Sequence, residues 1–178
     1  DKVIVDACCG TGNIAEKMAQ KKAKHVYGFD ASKNMIDYAQ RHYSYMTNLS
    51  FEHSFAEKFV SSIKSDLVVA FFCLHWIEDK KTVFKNWYDT LKVGGELLFT
   101  LNKQSMLFET FCRMFQGENS RQITGRSNIT DEQVKLILQE LGFTILSYQQ
   151  IPQFYVFKDE KAVVDFQRPL FMSRPIIQ

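Results

Sequence analysis

Val3-Ile4-Val5-Asp6-Ala7-Cys8-Cys9-Gly10-Thr11-Gly12 decides the fold: an apolar run breaks into a glycine turn, and a second run, Val26-Tyr27-Gly28-Phe29, closes on Asp30. A strand, a glycine turn, a helix and a second strand ending in a carboxylate is how an α/β sheet holds a nucleoside. Gly10 and Gly12 carry no Cβ, so the backbone there can bend tightly and approach a ligand closely. The ionised Asp30 accepts two hydroxyl hydrogen bonds at the tip of the neighbouring strand, which suits a ribose diol.

The dinucleotide pattern G-x-G-x-x-G is absent: position 8 is cysteine, and position 15, where the third glycine would fall, is alanine. A pyrophosphate ligand is therefore disfavoured. Asp6 adds to this, since a carboxylate before the turn repels phosphates and attracts a cationic sulfonium or ammonium.

Asp6-Ala7-Cys8-Cys9-Gly10-Thr11-Gly12 resembles the D-x-G-C-G-T-G signature of class I S-adenosylmethionine-dependent methyltransferases, and Asp30 matches that family's ribose-binding acid. The resemblance implies an α/β fold: a Rossmann-like, doubly wound, mostly parallel sheet with helices on both faces. It also implies S-adenosyl-L-methionine as cofactor and S-adenosyl-L-homocysteine as product. On the first strand and turn, Asp6, Ala7, Cys8, Gly10 and Gly12 would hold the cofactor, with Asp30 and Ala31 after the second strand. Cys8 stands where the family usually has glycine, and its Cβ is expected to narrow the room for the methionine moiety. Phe55 replaces the aspartate with which many relatives meet the adenine amino group. The Ala56 amide can still address the base, and Met35 with Phe55 can sandwich its ring.

A chain of 178 residues with 46% apolar content suffices for one domain with a real core. The formal net charge is +2 and the basic residues are scattered, which gives no electrostatic reason to propose nucleic acid or an anionic membrane. Cys8, Cys9, Cys73 and Cys112 sit in apolar surroundings without metal-ligand or disulfide spacing, so a reducing, cytoplasmic setting is expected and no metal. No apolar run reaches the roughly 18 residues of a membrane span. Asp1-Lys2 leads straight into the first strand, and no seventh strand is found before Gln178, so both ends read as cut.

Strand and helix signals alternate, as in a parallel sheet flanked by helices. Val3–Asp6, Val26–Asp30, Asp66–Phe71 and Glu96–Leu101 read as strands, and Leu49–Phe55 as a short third strand at an edge. Asn13–Lys22, Lys33–Tyr43 with Ser32 as N-cap, and Lys80–Leu91 read as helices, the last stopped by Gly94-Gly95. Leu91-Lys92-Val93-Gly94-Gly95 resembles the family's L-x-P-G-G connection. Thr130-Asp131-Glu132-Gln133 is a capping box opening another helix that Gly142 ends. Phe143–Gln150 reads as a sixth strand and Glu160–Phe166 as a short helix. The single domain 1–178 thus divides into a cofactor-binding core over 1–101, a lid or substrate loop over 102–129, and a C-terminal part over 130–178 that completes the core and substrate region.

Phe72-Cys73-Leu74-His75-Trp76, after the fourth strand, occupies the place where class I methyltransferases hand the methyl group to its acceptor. With Ile77-Glu78-Asp79 it resembles the L-x-W segment of a subgroup that methylates carboxylic acids: malonyl-acyl-carrier-protein, trans-aconitate and juvenile hormone acid methyltransferases. The resemblance implies Phe72 on the cofactor and His75 and Trp76 as catalytic residues. His75 can orient an acceptor oxygen or act as a base, and Trp76 offers a flat apolar wall. A carboxylate acceptor, small or carrier-bound, is already ionised and needs no base. A phenol, amine or carbon acceptor needs one, and a nucleoside-binding protein without catalysis remains a further reading. Arg113, Arg121, Arg126 and Arg168 are the candidates for clamping an acidic acceptor.

Overall fold

The computed structural model describes residues 1–60, 62–101, 129–152 and 156–172, with side chains of the last segment as far as 166. Five strands form one sheet: β1 (Val3–Ala7), β2 (His25–Asp30), β3 (Leu49–His53), β4 (Ser65–Ala70) and β5 (Leu91–Phe99). Their order is β3-β2-β1-β4-β5, and every pairing is parallel. The order reverses between β1 and β4, the switch point outside which open α/β sheets bind ligands.

The helices between the strands are α1 (Asn13–Gln20), α2 (Lys33–His42) and α3 (Lys80–Thr90), followed by α4 (Asp131–Glu140) and α5 (Glu160–Met172). Side chains of a strand alternate between faces, and β1 shows the result. Ile4 packs with Ala15 and Ala19 of α1, Ala39 of α2 and Tyr43 at its C-cap. Val5 and Ala7 pack on the other face with Val83, Phe84 and Trp87 of α3 and Val134 and Leu138 of α4. Helices thus cover both faces, as the doubly wound reading requires.

Ser32 caps α2 by accepting the Met35 N–H at 3.5 Å. The Thr130 capping box is present in both directions: Thr130 Oγ1 accepts the Gln133 N–H at 3.2 Å and Gln133 Oε1 accepts the Thr130 N–H at 2.8 Å.

Three expectations are corrected. Gly94 and Gly95 do not separate a helix from a strand: α3 ends at Thr90, Leu91 already pairs with Ser65, and Leu67 next pairs with Glu96. The glycines lie in this bulge, where Gly94 takes φ +76, a left-handed value that glycine adopts without strain. Phe143–Gln150 forms no strand. Leu146 and Tyr148 stand exposed and only Phe143 packs inward, edge-on to Tyr88 at 5.0 Å, so the alternation never meets a partner edge. The helix expected over Glu160–Phe166 continues to Met172. The lid over 102–129 lies outside the described residues except for Ile129, as do Arg113, Arg121, Arg126, Cys112 and the side chain of Arg168.

Candidate functional site

Among the described residues, the candidates for the cofactor and for methyl transfer lie at the carboxyl ends of β1, β2, β3 and β4 and in the turns and first helical turn that follow them. The turn after β1 is folded back by the Cys9 N–H, which donates to the Phe29 carbonyl at 2.9 Å, and by the Gly12 N–H, which donates to the Cys9 carbonyl at 3.0 Å. Gly10 (φ +56) and Gly12 (φ +86) are left-handed. A Cβ on Gly12 would come within 2.6 Å of the Phe51 ring, so glycine is required there by β3 as well as by the turn. Gly10 instead faces Met35, whose sulfur lies 3.7 Å from where its Cβ would be. That contact brings α2 to the turn.

Asp30 ties the two strand ends together. One carboxylate oxygen accepts the Gly10 N–H at 2.9 Å and the other the Ser32 N–H at 2.8 Å. Each oxygen keeps a free lone-pair direction, since a carboxylate offers about four acceptor sites. The group is therefore held rigidly and can still accept from a diol. Ser32 was not among the residues expected at the site, although the Asp-x-Ser spacing is a turn signal in which aspartate bonds the backbone two residues on. Ala31 is exposed, and its carbonyl meets His53 Nε2 at 3.0 Å.

Asp6 falls on the face of β1 covered by α1 and is only 2% exposed. Its Oδ2 is buried without a hydrogen-bond partner. Burial pushes the carboxyl up to about 7, the Ala15 backbone N–H opposes the rise, and the charge of Asp30 adds to it. Ala7 lies wholly in the core and contributes no side chain to the surface.

Cys8 takes φ +58, unusual for a residue with a Cβ, and its half-buried side chain packs on the core beside Cys73. The Cys73 contact and burial push the Cys8 thiol well above its ordinary range, and burial does the same for Cys9.

Met35 and Phe55 are both exposed, as side chains awaiting a flat partner would be, whereas Ala56 is buried and its carbonyl accepts from Asn86 Nδ2 at 3.2 Å. Phe72 is exposed at the end of β4. His75 and Trp76 lie on a single 3-10 turn, Leu74–Trp76, with ring centroids 4.8 Å apart; His75 is half-buried and Trp76 exposed. The turn is anchored by the buried Lys80, whose ammonium donates to the Ile77 carbonyl at 2.5 Å and whose pKa burial lowers. Among the described residues, no group of three or more His, Cys, Asp or Glu is placed to hold a metal ion. Among them, too, no helix is long and apolar enough to cross a membrane.

A glycine turn at the switch point of a parallel sheet, with an acid bridging it to the next strand, defines a nucleoside-binding α/β domain. Residues 4–95 match the methyltransferase domain family, and the chain belongs to that family. It is 23% identical over 171 residues to juvenile hormone acid O-methyltransferase of Bombyx mori, an alignment covering 88% of this chain and 62% of that protein. It is 32% identical over 107 residues to malonyl-[acyl-carrier protein] O-methyltransferase 2 of Ilyobacter polytropus, covering 60% of this chain and 41% of that one. The chain thus spans less than two thirds of the length of these relatives. The solved phosphoethanolamine N-methyltransferase 2 of Haemonchus contortus shares the fold, with a TM-score of 0.64 at 23% identity over 80% of this chain and 33% of that one.

Proposed function

We propose that the chain binds S-adenosylmethionine and directs its methyl group to a carboxylate oxygen. The observation that carries this reading is Asp30: a carboxylate locked by the Gly10 and Ser32 amides at the end of β2, each oxygen retaining acceptor capacity. The remaining residues fit the same nucleoside. Met35 and Phe55 expose apolar surface for the base, and Ala31 follows the Asp30 carboxylate. Asp6, buried beside the turn with an unpartnered oxygen, supplies no positive charge there and disfavours a phosphate.

Bound there, the cofactor supplies a methyl on a sulfonium that is displaced in line by the acceptor. The chain's task is then to align the acceptor and exclude water. Trp76 supplies an apolar wall, and His75 beside it can hold an acceptor oxygen through its ring nitrogen. The names of the two curated relatives, one acting on juvenile hormone acid and one on a malonyl carrier, support an acidic acceptor, small or carrier-bound. A phenol, amine or carbon acceptor would instead need His75 as base.

Calorimetry of the full-length protein with S-adenosylhomocysteine is expected to show binding, and methyl-labelled cofactor is expected to label carboxylic acids. Absence of binding would overturn the cofactor assignment. Labelling of phenols or amines that collapses in His75→Ala, with acids unlabelled, would overturn the carboxylate assignment.

A further inference from the structure

Phe72 stands at the end of β4, next to β1, at the point where strand order reverses. Its φ is +57. A left-handed backbone costs a residue with a Cβ roughly 1–2 kcal/mol, and for a bulky side chain it is a real outlier. Core packing does not account for this, because 52% of Phe72 remains exposed. The conformation is fixed from β5's side: the Phe72 N–H donates to Thr100 Oγ1 at 2.8 Å, and the Thr100 N–H donates to the Ala70 carbonyl at 3.0 Å. Cys73, the next residue, is buried in the core cluster against which Cys8 packs.

A glycine or asparagine would satisfy this backbone with less strain. A large ring is instead kept in water at the mouth of the switch point, and Trp76 on the same segment is 46% exposed. A large exposed ring on a backbone position that the fold fixes but that glycine would occupy without strain is a pointer to function. A small polar diacid would leave both rings wet, whereas an apolar chain would bury them at a gain of about 0.8 kcal/mol per methylene, about fourfold in affinity.

We propose that Phe72 is a specificity-determining residue whose ring, together with Trp76, packs on an apolar body that the methyl acceptor carries next to its methylated atom. This rests on the reading of residues 72–76 as the acceptor side of a methyltransferase site.

The test is calorimetric titration of the full-length protein, saturated with S-adenosylhomocysteine, with straight-chain acids from butanoate to decanoate. Affinity is expected to rise along the series by up to about fourfold per methylene. Phe72→Gly and Phe72→Asn, both at ease in a left-handed backbone, are expected to lose most of that rise while melting at or above the wild-type temperature. Wild-type affinity that ignores chain length, no binding by any acid, or an undiminished rise in both variants would overturn the proposal. Methyl transfer to the same acids is read separately: chain-length-dependent binding without transfer would overturn the carboxylate reading and leave the role of Phe72 standing.

Discussion

An Asp6 carboxyl buried to 2% exposure, with one oxygen unpartnered and Asp30 nearby, is protonated in a large share of molecules near neutral pH. Its folded pKa of about 7 lies above the ordinary aspartate value of 3.8. The folded state therefore holds this proton more tightly than the unfolded chain, and the contribution to stability is fully present below about pH 4. It is lost as pH rises toward about 7 and is constant above, a total of about 4 kcal/mol for the full shift. Asp6→Asn cannot ionise, so its stability relative to wild type should rise across that window and level off above it. Urea denaturation of both proteins from pH 5 to pH 8, without ligand, measures this. A difference between them that is the same at every pH would show that Asp6 does not titrate in the window. At this scale the sequence identified Asp6 and Asp30 as the acids of the turn. It did not reveal that one is buried and the other bridged by two amides, because both facts depend on where α1 and Ser32 fall in three dimensions.

The strands set a stricter demand on Gly28 than the turn alone suggests. Gly28 pairs with Asp6 on one side and Phe51 on the other, and a Cβ there would lie 2.7 Å from the Phe51 ring and 3.0 Å from Cys9 Sγ. Both neighbours are confined, Phe51 by Tyr43 and by the space over Gly12, and Cys9 by the turn. Gly28→Ala is accordingly expected to destabilise the domain by about 1–3 kcal/mol, the usual cost of overpacking. Thermal denaturation would measure it, and a second substitution, Phe51→Leu, should recover part of the loss by vacating the ring's position. Unchanged stability in Gly28→Ala would mean that Phe51 moves aside freely. Local elements were legible where the chain carries its own signal: the apolar runs of β1, β2 and β4, the Ser32 cap and the Thr130 capping box. The bulge around Gly94 and the absence of a strand over residues 143–150 were not. Both are decided by which edge a segment meets, and alternation alone does not encode a partner.

The order β3-β2-β1-β4-β5 joins these scales, because it brings the ends of β1, β2 and β4 into one crevice although their residues are far apart in the chain. Asp30 links the β1 and β2 ends, from the turn after β1 to the start of α2. A nucleoside bound across that link stabilises the whole domain through mass action, by about 2.7 kcal/mol at a ligand concentration one hundred times Kd. For a domain of this size each kcal/mol raises the melting temperature by about 2–4 °C, so S-adenosylhomocysteine should raise it by roughly 5–10 °C in the full-length protein. Asp30→Ala removes both amide tethers and the diol acceptor together. Its ligand-free melting temperature should fall, since two partly buried N–H groups lose their acceptor, and the ligand-induced rise should vanish. NADH should produce no comparable rise in either protein, because the turn lacks the third glycine and has Asp6 beside it. An equal ligand-induced rise in wild type and Asp30→Ala would place the nucleoside elsewhere. A rise with NADH but not with S-adenosylhomocysteine would reverse the choice of nucleoside that Asp6 and the missing third glycine make.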